Sequence, residues 1–315
     1  MKYKVYVDGQ EGTTGLLIND RLKIRDDIEL LKIDPEKRKD TNTRKNFLNK
    51  ADIVFLCLPD AAAKESVAMV TNEHTKIIDA STAHRTNPDW AYGLPELGKE
   101  YREAIKASKR ISVPGCHATG FNVAVHPLTK EGILAKDYPV TAHSITGYSG
   151  GGKNLIAKYE ETDTDSTALK SPNFYSLGLN HKHLPEMQKV SGLTSPPLFT
   201  PVVSNFYKGM LVAVPLLKSY MKKPLSAKEV QAFLANYYMG EPFIEVIPYD
   251  SSSYLFEGFL NSVQCNDSNK LQLFVFGNDE QTLVVSRFDN LGKGSSGAAI
   301  QNMNLLLGKE EWLGL

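Results

Sequence analysis

Over about its first 115 residues the chain alternates short apolar runs with helix-patterned segments, a rhythm that fits a parallel α/β sheet. Lys4 to Val7 predicts a strand, and GQEGTTG (residues 9–15) a glycine turn. A helix then carries Leu16, Leu17, Ile18 and Leu22. Further strands are predicted over Ile28 to Ile33, Ala51 to Asp60, Lys76 to Ala80 and Arg110 to Val113, with helices around Arg44 to Asn49 and Ala61 to Val70. The unbroken apolar middle of FLCLP suits a parallel strand buried on both faces, with Cys57 as core. The expectation is a doubly wound sheet.

In such sheets ligands sit at the carboxyl ends of the strands. Gly9, Gly12 and Gly15 let backbone approach an anion, and a helix opening at Thr13 or Thr14 turns its N-terminus toward it. The spacing G-x-x-G-x-x-G departs from the commoner dinucleotide fingerprint, so the loop is weak evidence by itself. Asp34, at the tip of the second strand, could hold a ribose hydroxyl and favour NAD. Lys37, Arg38 and Lys39 follow it and suit a 2′-phosphate, which favours NADP with Arg38 as the best single candidate. Pro59, Ser81 and Arg85 fall at other strand ends. Arg85 is either a bidentate anchor for a substrate anion or a surface arginine.

The segment VPGCHATGF (residues 113–121) reads as a strand end, a Pro-Gly turn and a helix beginning near Cys116. Unpaired amides and the helix dipole favour the thiolate there, and the thiolate is the nucleophile. A buried, inert cysteine is the competing reading. Beyond this helix strands dominate: Val140 to Thr146, Leu198 to Val203, Met210 to Pro215, Ile244 to Pro248, Phe256 to Val263, Leu271 to Phe276 and Thr282 to Arg287. One clear helix, Ser226 to Met239, interrupts them, and GNDEQ reads as a hairpin loop. This predicts a second, mainly antiparallel α+β domain.

Three polar stretches lie in that half. GYSGGGK, with Ser149, Gly150 and Lys153, offers backbone amides to an anion or oxyanion. HKHLPEM carries His181 and His183, which suit acid/base work beside a cysteine. The two histidines also have a spacing open to a metal, but no further ligand cluster accompanies them, and no metal is expected. RFDNLGKGSSG places Asn290 and Lys293 in a turn before a closing apolar helix.

At 315 residues there is room for two cores. Lysine plus arginine and aspartate plus glutamate each number 36, so no general affinity for nucleic acid or anionic membrane is expected. Three scattered cysteines fit a reducing, cytoplasmic setting, and no membrane span is expected.

The blocks VDGQEGTTG, FLCLPDAA, DASTAHR, VPGCHATG, GYSGGGK, HKHLPEM and FDNLGKGSSGAAIQNMN occur in an order that resembles the N-acetyl-γ-glutamyl-phosphate reductases, in their shorter form. The resemblance implies an NADP-binding Rossmann domain over 1–116, completed by a C-terminal helix over 292–315. It implies an α+β catalytic and dimerisation domain over 117–291. It makes Cys116 the nucleophile that forms a thioester with an acyl phosphate and releases phosphate, and a histidine of HKH the acid/base. Gly12, Thr13, Thr14 and Gly15 fall at the cofactor phosphates, Pro59, Ser81 and Asn290 near the cofactor, and Arg85 at the substrate. A homodimer or homotetramer is implied. The residue after the cysteine is commonly aromatic in the family; here it is His117, which leaves three histidines as candidates for the acid/base. A related reductase acting on β-aspartyl phosphate shares the same chemistry and is the main alternative.

Overall fold

The computed structural model describes residues 2–161 and 167–315. The chain divides into two compact units, Met1–Pro114 with Ser295–Leu315, and Gly115–Gly294.

The first unit alternates β1 (Tyr3–Asp8), α1 (Thr13–Lys23), β2 (Ile28–Leu31), α2 (Thr41–Lys50), β3 (Ile53–Leu56), α3 (Asp60–Met69), β4 (Lys76–Asp79), β5 (Ala91–Tyr92), α4 (Lys99–Ala107) and β6 (Arg110–Ser112). The strands form one sheet in the order β2-β1-β3-β4-β6-β5, every pairing parallel. Period-two alternation splits β1 between two cores. Val5 and Val7 pack with Ile18, Leu22 and Phe55, whereas Tyr6 packs with Leu48, Val54 and Ala63. Both faces are therefore covered, as a doubly wound sheet requires. The strands are shorter than the apolar runs that predicted them. β2 stops at Leu31, and Asp34 is spent accepting the Glu36 N–H (3.0 Å) in a turn of its own.

The second unit opens on α5 (Cys116–Lys130). It continues through β7 (Thr141–Gly147), α6 (Gly152–Glu160), α7 (Thr167–Lys170), β8 (Asn173–Phe174), α8 (Leu184–Ser191), β9 (Leu198–Ser204), β10 (Met210–Leu217), α9 (Ala227–Tyr237), β11 (Ile244–Val246), β12 (Leu271–Gly277) and β13 (Gln281–Phe288). The sheet order is β11-β12-β13-β10-β7-β9-β8. It is mixed rather than simply antiparallel, because β7/β9 and β11/β12 run parallel. α5 lies against it at Gly120, where a Cβ would stand 2.7 Å from Val212 Cγ2 and 2.8 Å from Phe288 Cε1. Only a glycine lets the helix come that close.

Two expectations fail here. Phe256 to Val263 is no strand. Glu257 and Gly258 both have positive φ (48° and 85°), which folds Phe256 back on Phe259 in a single antiparallel bridge. The primed-turn geometry overrides the apolar alternation. Nor is α9 the only clear helix after α5. α8 follows HKH with Pro185 near its start and Gly192 left-handed at its end, two stop-and-start signals that sequence alone could have supplied. α9 begins as expected, with Ser226 and Glu229 in a reciprocal capping box. A π-turn over Gly292–Ser296 leads into α10 (Gly297–Leu306), whose Ala298, Ile300 and Met303 join the Val5–Ile18 core of the first unit.

Candidate active site

In the first unit the glycine loop is shaped by what it cannot hold. A Cβ on Gly9 (φ +88°) would stand 2.3 Å from the Cys57 carbonyl oxygen, and one on Gly15 2.5 Å from the Gly9 carbonyl oxygen. Gly12 caps α1 with no side chain over the helix end, and the first turn holds no acidic residue. The leading amides at Thr13, Thr14 and Gly15 make an anion cradle of the kind a dinucleotide pyrophosphate fits. The Thr14 hydroxyl lies 2.9 Å from that of Ser295, a contact that sequence reading did not anticipate. Arg38 forms an ion pair with Glu11, which brings its guanidinium over this loop.

Pro59 caps α3. Asp79, fully buried at the end of β4, accepts from the Ser81 N–H (2.9 Å) and hydroxyl (2.7 Å) and pairs with His84 Nδ1 at 2.6 Å. Ser81 is thus a fixed part of the strand end. Arg85 donates from Nε to the Val113 carbonyl (2.9 Å) and from Nη2 to the Ala80 carbonyl (3.0 Å), so it straps β4 to the strand leading to Cys116. It is buried, which rules out the surface reading.

In the second unit Cys116 is the first residue of α5, partly exposed, with no acidic residue in the helix's own first turn. The preceding Gly115 N–H donates to Glu186 Oε1 of α8 at 2.9 Å, a buried tie between the cysteine turn and the HKH segment. Gly294 lies directly against Cys116; a Cβ there would be 2.9 Å from Cys116 Cβ. The rings of His117, His181 and His183 cluster, with centroids 5.3 Å (117–181), 5.5 Å (117–183) and 4.7 Å (181–183) apart, beside Tyr175 and Phe199.

The three imidazoles are not equivalent. His117 has both ring nitrogens engaged, Nδ1 with Ser144 Oγ (2.8 Å) and Nε2 with Tyr175 Oη (2.7 Å). Burial first, then the nearby charges of His181 and Lys182, push its pKa down to about 3. His117 is therefore a neutral ring and drops out as a candidate acid/base. His181 Nδ1 accepts the His183 backbone N–H at 3.2 Å, so its neutral form carries the ring proton on Nε2. Nothing in the local sequence pointed to Tyr175 or Ser144, which stand 58 and 27 residues from His117.

The GYSGGGK loop is a short 3-10 turn over Tyr148–Gly151 that runs into α6. Asn290 Oδ1 accepts from the Gly209 N–H (2.8 Å) and its Nδ2 donates to Ser149 Oγ (3.1 Å). Gly150 passes 3.6 Å from the same amide, measured from an added Cβ. Ser149, Gly150 and Asn290 thus form one group. Lys153 is exposed on the first turn of α6. Among the described residues no three His, Cys, Asp or Glu side chains group as metal ligands.

A parallel dinucleotide-type unit joined to a unit that opens on a cysteine at a helix start is the build of a semialdehyde dehydrogenase. The family models agree: residues 7–108 match "Semialdehyde dehydrogenase, NAD binding domain", and residues 116–290 match "Semialdehyde dehydrogenase, dimerisation domain". The structure resembles that of aspartate semialdehyde dehydrogenase II from Vibrio cholerae, with TM-score 0.73 over 98% of this chain and 99% of that one. At 14% identity this likeness speaks for the fold alone. Among curated proteins, the N-acetyl-gamma-glutamyl-phosphate reductase 2 of Nostoc sp. (strain PCC 7120) is 48% identical over 100% of this chain and 99% of its own. The N-acetyl-gamma-glutamyl-phosphate reductase of Brucella ovis is 44% identical over 98% and 100%. The chain belongs to the N-acetyl-γ-glutamyl-phosphate reductases, within the semialdehyde dehydrogenase family.

Proposed function

We propose that this chain reduces N-acetyl-L-glutamyl 5-phosphate to N-acetyl-L-glutamate 5-semialdehyde with NADPH, releasing phosphate, a step of arginine biosynthesis. The observation that carries the reading is Cys116 at the head of α5 within the HKH cluster, in a chain 48% identical to a named reductase. The β-aspartyl alternative is not favoured, because the aspartate enzymes share the fold at only 14 to 18% identity.

The Cys116 thiolate attacks the acyl carbon, the bond to the phosphate oxygen breaks, and a thioester remains on the enzyme. NADPH, when bound, supplies a hydride to that carbon. The resulting oxyanion re-forms a carbonyl as the carbon–sulfur bond breaks, which frees the aldehyde and the sulfur. His181, with its proton on Nε2, is suited to donate to the oxyanion in both halves. By elimination among the clustered rings, His183 takes the thiol proton.

Gly9, Gly12, Thr13, Thr14 and Gly15 hold the pyrophosphate in this reading, with Pro59, Ser81 and Asn290 nearer the nicotinamide side. Arg38 takes the 2′-phosphate by exchanging Glu11 for it, hence NADP over NAD. Arg85 and the Ser149, Gly150 and Lys153 loop serve the substrate's anionic groups.

The protein acts in the cytoplasm as a homodimer or homotetramer; among the described residues no helix is long and apolar enough to cross a membrane. One face of the second sheet supports self-association. Ile145, Leu198, Leu217 and Leu283 lie on it, all substantially exposed.

The test is the reverse reaction: N-acetylglutamate semialdehyde, phosphate and NADP, followed by absorbance of reduced nicotinamide. Cys116→Ser is expected to abolish turnover and leave NADPH affinity nearly intact. Wild-type turnover in that variant would refute the covalent route.

A further inference from the structure

Ser295 comes from the far end of the chain to the glycine loop. Every residue from Leu291 to Leu306 is buried except Ser295, so the turn before α10 opens at this one side chain. Its hydroxyl lies 2.9 Å from that of Thr14, the second residue of α1. Among the described residues neither hydroxyl has another hydrogen-bond partner. A hydroxyl carries one proton and two lone pairs. One proton is spent between the two oxygens, whichever donates it, and the other is left over. That second proton belongs to the oxygen that accepts, and accepting polarises an O–H into a stronger donor. The pair is therefore a donor with one proton to offer, held beside the leading amides of α1.

We propose that Ser295 completes the cofactor site: its hydroxyl and that of Thr14 act as one unit that donates a hydrogen bond to the dinucleotide pyrophosphate. This role rests on the reading that the glycine loop holds the cofactor. The loop falls within residues 7–108, matched by the NAD-binding domain, whereas Ser295 lies outside both matched segments. The surroundings suit an anion. Gly12 caps α1 without a side chain over the helix end, and no acidic residue stands in the first turn. Glu11, the one carboxylate of the loop, is paired with Arg38. Pairing also supplies what Thr14 alone would lack. A lone hydroxyl rotates and must be ordered as the ligand arrives, whereas a paired one is ordered beforehand. The hydroxyl pair thus adds a preorganised side-chain donor to the backbone donors of the loop.

The test is the dissociation constant of NADPH, read from its fluorescence on binding to the full-length protein without substrate. Ser295→Ala is expected to weaken NADPH about tenfold, the low end for a hydrogen bond to a charged group. Adenosine 2′-phosphate carries the 2′-phosphate but no pyrophosphate. Its dissociation constant, measured by displacement of NADPH, should be the same in Ser295→Ala as in wild type. In a Thr14→Val background, Ser295→Ala should cost less than it does alone, because the two hydroxyls work as one donor. An unmoved NADPH constant in Ser295→Ala would overturn the proposal. So would an equal weakening of adenosine 2′-phosphate, which would make Ser295 only a staple between α1 and the turn before α10. Equal costs with and without the Thr14 hydroxyl would overturn it too. A wild type that bound no NADPH would sink the cofactor reading and this proposal together, whereas binding that Ser295→Ala leaves intact would sink the proposal alone.

Discussion

Gly294→Ala tests whether the sulfur of Cys116, the proposed nucleophile, is placed by close packing at Gly294. The new Cβ would stand 2.9 Å from Cys116 Cβ, 3.2 Å from Phe288 Cε2 and 3.3 Å from the Asp289 carbonyl oxygen. Non-bonded carbons rest about 3.5–4.0 Å apart, so roughly 0.6–1.1 Å of movement is needed at the cysteine. Phe288 is fully buried in β13, and the Asp289 contact is backbone. The start of α5 must therefore take much of the displacement. A misplacement of about 1 Å in a catalytic group costs on the order of 100-fold, so kcat should fall about 10- to 100-fold. The overpacking itself costs about 1–3 kcal/mol.

The reverse assay gives kcat, and thermal melting gives the stability. Gly120→Ala is the contrast. Its Cβ meets Val212 and Phe288 at 2.7 and 2.8 Å, in the interface of helix and sheet. That variant should lose stability first and keep its kcat per folded molecule. The reasoning is refuted if Gly294→Ala keeps a wild-type kcat, or if its loss of rate only tracks the loss of folded protein.

Arg38→Ala should lower the preference for NADPH over NADH by about tenfold or more, chiefly through KM for NADPH, since a charge-assisted pair of about 1.5–3 kcal/mol is removed; steady-state kinetics with both cofactors decide it. His117 gives a pH signature. Its folded pKa is depressed to about 3 from 6.5, so between these values the unfolded chain binds more protons than the folded one. Stability contributed by the neutral ring is therefore present above pH 6.5 and lost as pH falls, by up to about 1.4 kcal/mol per pH unit. Denaturant titrations of wild type and His117→Phe between pH 7 and 4, at about half-unit steps, should show a shallower acid loss in the variant; parallel slopes would contradict the assignment.

The sequence was most informative where a requirement is local. A glycine loop between a strand and a helix needs glycines wherever backbone crosses backbone, and Gly9 and Gly15 have no room for a Cβ. A cysteine after Pro-Gly predicts a helix start, and Cys116 opens α5. What escaped depends on partners distant in the chain or on competing local geometry. The Phe256 turn looked like a strand because hydrophobic alternation does not register two positive φ values. Gly294 and Ser295 were hidden in a glycine-rich turn whose π geometry has no simple periodic signature.

The histidines show most clearly why the rest was illegible. As residue types His117, His181 and His183 are interchangeable, and each has a nominal pKa suited to proton transfer. Their differences come from groups whose hydrogen-bonding obligations are fixed by other parts of the fold. The Leu211 carbonyl cannot donate, so through Ser144 it sets the proton of His117 on Nδ1. The His183 backbone amide cannot accept, so it sets the proton of His181 on Nε2. One carbonyl in a strand and one amide at the head of a helix thus give two neighbouring rings opposite tautomers. That is the difference between the ring of His117, engaged at both nitrogens by Ser144 and Tyr175, and the ring of His181, proposed here to donate from Nε2.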